Sequence, residues 1–334
     1  MPAKQYKKTI IIAVVLFLIM QILIFGSMPR STENQPVKVV VKNGTSLYNI
    51  ACLLKDEGII YSSSLFVLYS FLTGSKLIAG EYDLSRNMST IDIIMKMKYG
   101  ERNIYTLKII EGYNIYNVAE AMQNAKITEK DEFMRLATNR DFLGRLKIDS
   151  GSLEGYLSPD TYFYSKEIEI DRFIERIVQR TFKIFEKEGI RDRMSELKMN
   201  IYQTLTLASM IEKEAKKKEE KPLISAVFHN RLRSDMSLGC DPTVTYGTGA
   251  FSSPITKTDL ITPTPYNTYK LKGLPKGPIC NPDKNSIMAA LYPAPVDYLY
   301  FVSRNDGTHA FSKDMGTHNR FVKTYQRNKN TKKQ

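Results

Sequence analysis

The stretch Leu207-Ala208-Ser209-Met210-Ile211-Glu212-Lys213-Glu214-Ala215 is the part of the chain around which the rest is organised. Its apolar residues recur at three- and four-residue spacing, which predicts a helix with one apolar stripe. A carboxyl beside such a stripe is partly desolvated, and desolvation raises its pKa, as a general acid working near neutral pH requires. The alternative is a surface helix whose acids and lysines are solvated.

The two acids of this helix cannot form one catalytic pair. Side chains two residues apart project about 200° apart around a helix. At most one of Glu212 and Glu214 is therefore the acid. Helix geometry does not choose between them, because each has an apolar residue four positions earlier, Ala208 and Met210 respectively.

Composition limits the class of protein. The chain has 334 residues, 43% hydrophobic and 25% charged, which is typical of a globular protein with two or more domains. A net charge of +13 suits nucleic acid, an anionic membrane surface or an anionic polymer. The few cysteines and histidines show no metal-ligand spacing, so we expect neither a metal site nor a cofactor; they are Cys52, Cys240, Cys280, His229, His309 and His318.

The N-terminal sequence predicts a membrane anchor. Residues 1–8 are basic, and residues 9–28 are almost wholly apolar, about the length that spans a bilayer. A cleaved signal peptide would have a shorter apolar region followed by small residues, and none follow here. The pattern predicts a single-pass protein of the cell (inner) membrane with a cytoplasmic N-terminus and the rest outside the cytoplasm. Genomic DNA is then excluded as a partner.

Residues 29–36 form a predicted linker, and residues 37–103 a small α/β subdomain. A β-branched strand at 37–41 is followed by a helix capped by Ser46 and ending near Asp56, then by a helix at 63–72 and a strand at 80–84. Ser89-Thr90 is predicted to start a further helix, at about 91–97. The order strand, helix, helix, strand resembles the LysM module, which binds glycan chains rich in N-acetylglucosamine. A plain α+β spacer domain is the alternative.

One pattern occurs twice in the chain. Gly44-x-x-Leu47-Tyr48-Asn49-Ile50-Ala51 is matched by Gly112-x-x-Ile115-Tyr116-Asn117-Val118-Ala119, and each copy follows a largely apolar strand. The pattern predicts a strand–turn–helix unit that is used twice. Two copies are too few for a repeat architecture, and the chemistry of turns and helix starts could produce the pattern by itself.

Residues 104–325 form the larger predicted domain, and residues 326–334 a basic tail. Leu153-Glu154-Gly155-Tyr156 and Ser158-Pro159-Asp160-Thr161-Tyr162 surround acids with aromatic rings in a turn, an arrangement that suits sugars. Loops are predicted at 238–247, 262–269 and 273–279. Helices are predicted at 127–148 and 171–199, after Lys221-Pro222, and from Asp283 to Tyr292, with a hairpin of strands 298–302 and 309–312.

Several motifs in one order resemble the YceG-like family over residues 37–325. They include Leu207–Glu214, Val227-Phe228-His229-Asn230-Arg231-Leu232, Asp241-Pro242-Thr243-Val244-x-Tyr246-Gly247, Thr262-Pro263-x-x-Tyr266-Asn267-Thr268-Tyr269, Gly273-Leu274-Pro275 and Pro278-Ile279, with Glu154-Gly155-Tyr156 before them. The expected architecture is α+β: an N-terminal transmembrane helix, a LysM-like α/β subdomain and a larger mixed α+β catalytic domain.

The resemblance implies an activity and site residues. Members of the family cleave the β-1,4 bond between N-acetylmuramic acid and N-acetylglucosamine within peptidoglycan strands, leaving 1,6-anhydro ends without consuming water. The family's catalytic glutamate falls on Glu212. Glu154 is a candidate second acid, and Asp241, Tyr246, Asn267 and Tyr269 are candidate sugar contacts. The resemblance also implies action beside peptidoglycan synthases, where an anchored enzyme would terminate nascent strands.

Three other functions remain open at this point. A membrane-anchored protein could bind peptidoglycan without cleaving it. A lysozyme-like muramidase could use Glu212 with Glu154 or Asp241 and water, because ordinary glycosidases need two carboxylates. A basic nucleic-acid binder is the third, and the predicted anchor argues against it.

Overall fold

A computed structural model describes Ile10, residues 13–17, 19–21 and 24, and residues 27–32, 34–166, 168–251 and 253–327. The predicted cytoplasmic segment 1–8, eight of the twenty residues of the predicted membrane span 9–28 and most of the basic tail lie outside these residues. Within the part of the chain that the structure describes, no helix combines the length and apolarity needed to cross a bilayer.

The described chain is a mixed α+β fold, as predicted, with many helices and three two-stranded sheets. The strands are β1 (Pro36–Val41), β2 (Gly80–Ser85), β3 (Tyr105–Ile109), β4 (Asp160–Tyr164), β5 (Tyr300–Ser303) and β6 (His309–Ser312). The helices are α1 (Leu47–Asp56), α2 (Ser63–Leu72), α3 (Thr90–Tyr99), α4 (Ile115–Asn124), α5 (Lys130–Ala137), α6 (Arg140–Arg145), α7 (Ile170–Phe185), α8 (Ile190–Glu196), α9 (Ile201–Glu214), α10 (Lys221–Arg233), α11 (Asp241–Thr248), α12 (Lys257–Ile261), α13 (Lys284–Leu291) and α14 (Met315–Val322).

The chain divides into two compact units. The first contains the described residues up to 106 together with 163–169, and the second contains 107–162 and the described residues from 170 onward. In the first unit β1 and β2 pair antiparallel, with Val39 opposite Tyr82. Helices α1 and α2 connect them, so the predicted order of strand, helix, helix, strand is confirmed. Whether this part binds glycan stays a prediction, as does the domain division at residue 103.

The first unit contains a buried acid of its own. Glu81 in β2 is 1% exposed. Lys166 lies 2.5 Å from its Oε2, and Lys38 lies 3.6 Å from its Oε1. The Lys166 ammonium and the Tyr105 hydroxyl hold the pKa of Glu81 down at about 2, against the effect of burial. This ion pair attaches the segment 163–169 to the first unit.

In the second unit the central helix is α9. Asn200 caps it, because its side chain accepts the Gln203 amide hydrogen while Gln203 Oε1 accepts the Asn200 amide hydrogen. Every residue from 204 to 211 is buried. The alternative of a solvated surface helix is therefore wrong, and the helix begins six residues before the apolar stripe from which it was predicted.

The hydroxyl groups of α9 explain how polar residues fit in this core. Thr204 donates to the carbonyl of Asn200, and Ser209 donates to the carbonyl of Thr206. Such bonds satisfy the hydroxyls within their own helix, so burial leaves no unpaired donor there. The side chains are small, and α13 and α10 pack closely against α9. Both of these helices begin at residues that bear on the candidate site.

Two elements differ from the sequence predictions. Residues 238–247 were expected to form a loop, but Asp241–Thr248 is a helix with Pro242 in its first turn, where its missing amide hydrogen costs nothing. The helical stretch 127–148 is two short helices, α5 and α6, because Asn139 caps the second one. The predicted helices after Lys221-Pro222 and Asp283 and the hairpin β5–β6 are confirmed.

The repeated pattern is a turn that leads into a capped helix in both places. Gly44 and Gly112 have φ of +81° and +77°, a conformation that favours glycine. Ser46 caps α1 and Asn114 caps α4 through their side chains. The surroundings of the two turns differ. No atom lies within 4 Å of where a Cβ on Gly44 would stand, whereas on Gly112 it would lie 3.8 Å from Glu212 Cγ.

The cysteines are free thiols. Cys240 and Cys280 are buried, and Cys52 is half-buried. Cys280 Sγ donates to the carbonyl of Ser209 in α9 at 3.4 Å. Burial raises the pKa of both buried thiols well above the usual range.

Candidate active site

Glu212 lies in the last turn of α9, and its side chain is 9% exposed. Its Oε2 accepts hydrogen bonds from the backbone amide of Asp283 and from the Ser286 hydroxyl, both at 2.8 Å. Lys221 Nζ lies 3.2 Å from each of the two carboxyl oxygens. Residues at the starts of α10 and α13 therefore fix this carboxyl.

Lys221 and Asp283 form a second contact behind Glu212. Lys221 is 4% exposed and donates to Asp283 Oδ1 at 2.8 Å. The same oxygen accepts the Ser286 amide hydrogen at 2.7 Å, which is the N-cap bond of α13. An ammonium in so buried a place is stabilised because two carboxyls surround it.

The two carboxyls beside Lys221 differ in their affinity for a proton. Burial raises the pKa of Glu212, and the neighbouring Asp283 carboxylate acts in the same direction, although the Asp283 amide and Lys221 oppose them. Burial also disfavours the Asp283 carboxylate, but Lys221 and the Ser286 amide outweigh it and lower the pKa of Asp283 to about 2. Asp283 is therefore charged near neutral pH, and of the two carboxyls Glu212 has the higher affinity for a proton.

Glu214 faces different partners, as the helix geometry predicted. Its carboxyl is hydrogen-bonded to the Cys240 thiol, and the titratable groups near it include Asp241, Arg231 and His309. Burial raises its pKa. His229 is buried, and its Nε2 lies 2.8 Å from the carbonyl oxygen of Ala290, so this histidine has a packing role.

Glu154 is a second buried acid, 3% exposed. Its Oε2 accepts hydrogen bonds from the Ile115 amide at 2.9 Å and the Tyr246 hydroxyl at 2.8 Å. Burial raises its pKa to about 7 despite these donors. Gly155 has φ of +86°, and a Cβ there would lie 2.6 Å from Pro278 Cγ, so glycine is required where this turn meets the 278 loop.

The turn at Gly112 joins the two acids. At one end Gly112 lies against Glu212, and Lys213 Nζ donates to the Gly112 carbonyl at 3.3 Å. At the other end the Ile115 amide donates to Glu154. Asn281 holds the turn from behind, because its amide donates to the Tyr113 carbonyl at 2.8 Å and its carbonyl accepts the Gly112 amide hydrogen at 3.1 Å. The turn thus contacts both Glu212 and Glu154.

A cavity of about 330 Å³ lies beside this turn. Its wall includes Asn114, Lys213, Asp241, Tyr246 and Phe251. Two larger cavities, of about 700 and 930 Å³, are lined by other parts of the unit. None of the three described walls contains Glu154 or Glu212, but the wall of the smaller cavity includes Tyr246, which donates to Glu154, and Lys213, which follows Glu212 in the chain. The smaller cavity is our candidate for a sugar subsite, since it combines aromatic rings with amide and charged groups.

The predicted sugar contacts separate into two groups. Tyr246 and Asp241 line the cavity, and Tyr269 donates to Asp241 Oδ1 at 2.5 Å from a half-exposed position. Asn267 is fully buried, and its amide donates to the carbonyls of Asp259, Leu260 and Thr262. Its side chain is occupied in closing the loop, so the structure gives it a structural role in place of the predicted contact.

Sequence reasoning missed three residues of the site. Lys221 and Ser286 were not considered, and Asp283 was predicted only as a helix cap. These residues meet Glu212 from helix starts that are distant in the sequence. Proline in the first turn and aspartate at the N-cap are common at helix starts, so nothing in the local pattern around Lys221 and Asp283 indicates a site. Among the described residues, no group of three His, Cys, Asp or Glu side chains could hold a metal ion.

Comparisons with a family model, with curated proteins and with solved structures all find YceG-like proteins or proteins named endolytic murein transglycosylase. The model of the YceG-like family matches residues 39–324. A Bacillus subtilis protein named endolytic murein transglycosylase is 32% identical over 313 residues, 89% of this chain and 86% of the relative. A Streptococcus pneumoniae protein of the same name is 27% identical, and the match covers 86% of this chain and 58% of that protein. The crystal structure of a YceG-like protein from Listeria monocytogenes superposes with a TM-score of 0.60 at 34% identity, covering 86% of this chain and all of that one.

Proposed function

The chain belongs to the YceG-like family, and from this premise we propose that it is a lytic transglycosylase that cuts within peptidoglycan strands. The bond cleaved is the β-1,4 bond between N-acetylmuramic acid and N-acetylglucosamine, and the new end is 1,6-anhydro-N-acetylmuramic acid. The observation that carries the proposal is Glu212: a nearly buried acid with a raised pKa, fixed by three neighbouring groups.

The reaction requires one acid that also acts as a base. Glu212 donates its proton to the glycosidic oxygen as the bond from that oxygen to C1 breaks, and the bonding electrons leave with the oxygen. The Glu212 carboxylate then takes the proton of the muramic acid C6 hydroxyl while O6 bonds to C1. The proton returns to Glu212, no water is consumed and no cofactor is needed.

Glu154 and the cavity complete the proposed site. A pKa of about 7 leaves Glu154 partly charged at neutral pH. Its carboxylate form can stabilise positive charge that develops at C1, and its position behind Tyr246 fixes one wall of the cavity. Asp241, Tyr246 and Tyr269 are proposed to contact the sugar and its N-acetyl group.

The products of cleavage test this function. Purified uncrosslinked glycan strands are incubated with the chain from residue 36 onward and analysed by mass spectrometry. We expect internal fragments that are lighter than hydrolysis products by the mass of one water. Glu212→Gln should lower their release by at least about 100-fold, because general acid catalysis contributes about that factor. Glu219→Gln is the matched control, because this acid is exposed and lies outside the site.

Two other outcomes would favour other functions. Reducing ends in place of anhydro ends would identify a muramidase, and the second buried acid, Glu154, is the observation that favours this candidate. Binding of strands by both the wild type and Glu212→Gln without any fragment would identify a peptidoglycan-binding protein.

We also propose that residues 9–28 anchor the protein in the cell membrane, with residues 1–8 in the cytoplasm and the remaining chain outside. The apolar length of this segment and the preceding lysines support the proposal. Held there, the enzyme would cut new strands beside peptidoglycan synthases and terminate their growth. Reporter fusions after residue 36 test the topology. Full replacement of the anchored protein by an anchorless one in cells would contradict the role in strand termination.

A further inference from the structure

The two oxygens of the Glu212 carboxyl have unequal surroundings. Oε2 is contacted by the Asp283 amide at 2.8 Å, the Ser286 hydroxyl at 2.8 Å and the Lys221 ammonium at 3.2 Å. Among the described residues, Oε1 has one polar contact, Lys221 at 3.2 Å. A carboxyl oxygen has two lone pairs. Oε2 is therefore fully occupied, while Oε1 keeps one position for a proton.

We propose that Lys221, itself held by Asp283, is a positioning residue that acts with Ser286 to place the transferable proton of Glu212 on Oε1. The inference rests on the proposed function, because it concerns the acid of that reaction. Oε1 then donates the proton to the glycosidic oxygen and accepts the proton of the C6 hydroxyl. Both transfers use one oxygen, so the carboxyl does not have to rotate between them.

Lys221 has a second effect through its charge. When the proton leaves Oε1, the ammonium donates to both carboxylate oxygens and stabilises the negative charge. Asp283 keeps the ammonium in place, since its Oδ1 lies 2.8 Å from Nζ. The pair thus promotes release of the proton, and burial of Glu212 promotes its return. These opposed effects suit a group that must act as acid and base in one reaction.

The titratable and charged groups around Glu212 come from several elements. Lys221 lies at the start of α10 and Asp283 at the start of α13. The Cys280 thiol, whose pKa burial raises, lies near enough to interact with Glu212. From the 112 turn, the group against Glu212 is a glycine, and the adjacent Lys213 donates to that glycine's carbonyl. Lys221 is the cation that contacts both oxygens of Glu212.

The kinetics of Lys221→Met test the proposal. We expect kcat to fall at least about 10-fold while KM stays within about two-fold, because the substrate does not touch this side chain. Loss of the cation raises the pKa of Glu212. The limb of the kcat–pH profile on which activity falls with rising pH should therefore move to higher pH, since the acid stays protonated longer. Lys218→Met, an exposed lysine three residues earlier, should leave both quantities unchanged.

Ser286→Ala is a second variant, which removes fewer contacts to Glu212 than Lys221→Met does. It deletes one donor to Oε2, so we expect a smaller fall in kcat and a shift of the same limb in the same direction. If Lys221→Met does not fold, an unmoved limb in a folded Ser286→Ala overturns the proposal. A fall in kcat without any movement of the limb in either variant would also overturn it, because a purely structural role predicts that result. Activity retained by Glu212→Gln would instead overturn the proposed function.

Discussion

The Tyr246 hydroxyl donates a 2.8 Å hydrogen bond to Oε2 of Glu154. This bond joins a side chain on the wall of the candidate sugar cavity to an acid that is 3% exposed. Tyr246 lies in α11, a segment that was expected to be a loop. Glu154 lies in a turn that is far from Tyr246 in the sequence. The position of each side chain therefore depends on the other.

Tyr246→Phe removes this bond while keeping the ring. The hydroxyl stabilises the charged form of Glu154, so its loss raises the pKa of Glu154 above its present value. We expect kcat/KM for strand cleavage at neutral pH to fall about 10-fold, in line with the loss of one hydrogen bond to a charged group. Tyr292→Phe, an exposed tyrosine outside the cavity, is the control. Equal activity of the two variants would show that the bond has no part in the reaction.

The raised pKa of Glu154 also predicts how stability depends on pH. The folded protein keeps the proton up to about pH 7, whereas an unfolded glutamate loses it near pH 4.5. Between these values the folded state binds more protons, so its stability falls as pH rises. The difference amounts to about 3 kcal/mol. Glu154→Gln should remove this contribution, which urea unfolding at pH 4.5 and pH 7 measures. The same slope in the variant and the wild type would contradict the assignment.

Gly112→Ala and Gly44→Ala form a matched pair. Each places a side chain at positive φ, so each should lose about 1 kcal/mol of stability. Only Gly112 lies against Glu212 and Lys213. We expect strand cleavage per folded molecule to fall several-fold in Gly112→Ala and to stay unchanged in Gly44→Ala. Equal losses of cleavage would show that the position of the 112 turn does not matter to the acid.

Asn267→Ala tests the structural role given to this residue. Its amide donates to three backbone carbonyls, and removing it leaves buried acceptors unpaired, at a cost of about 2 kcal/mol. We expect a lower melting temperature with an unchanged KM for the remaining folded enzyme. Asp241→Asn, on the cavity wall, should raise KM with little change in melting temperature. A raised KM in Asn267→Ala would restore the residue as a sugar contact.

Most helices and strands were predicted from local sequence patterns, because the residues that start each element lie within or next to it. Ser46, Ser89 and Asp283 each accept a hydrogen bond from an amide three residues later, so each helix start could be found in the sequence. Asp241–Thr248 was missed because its proline and glycine are also typical of turns. The burial of every residue from 204 to 211 in α9 was also missed, since the threonines and the serine there are polar by residue type, and their hydroxyls are satisfied only by bonds within the helix.

Residues of the candidate site could be predicted only where a single segment of sequence contains both the acid and the pattern that identifies it. The family motif pointed to Glu212, and the aromatic rings around residue 154 made Glu154 a candidate; the turn at Gly112 contacts both residues. The groups that orient Glu212 could not be found, because they approach it from the starts of α10 and α13 and make contact through folding alone. The helix wheel could not choose between Glu212 and Glu214, and burial raises the pKa of both. The difference between them lies in their partners.

The reactivity of the buried Cys280 thiol can report how often the protein opens near the candidate site. Thiolates, not thiols, react with alkylating reagents, and Cys280 is both covered and held protonated by its surroundings. It lies between Ile279, whose amide donates to Ser209, and Asn281, which holds the 112 turn. A reagent can therefore label Cys280 only when this segment leaves α9. The rate at which Cys280 is labelled therefore measures the frequency of these openings in the absence of substrate. A bound glycan fragment that stabilises the segment against α9 would lower this rate.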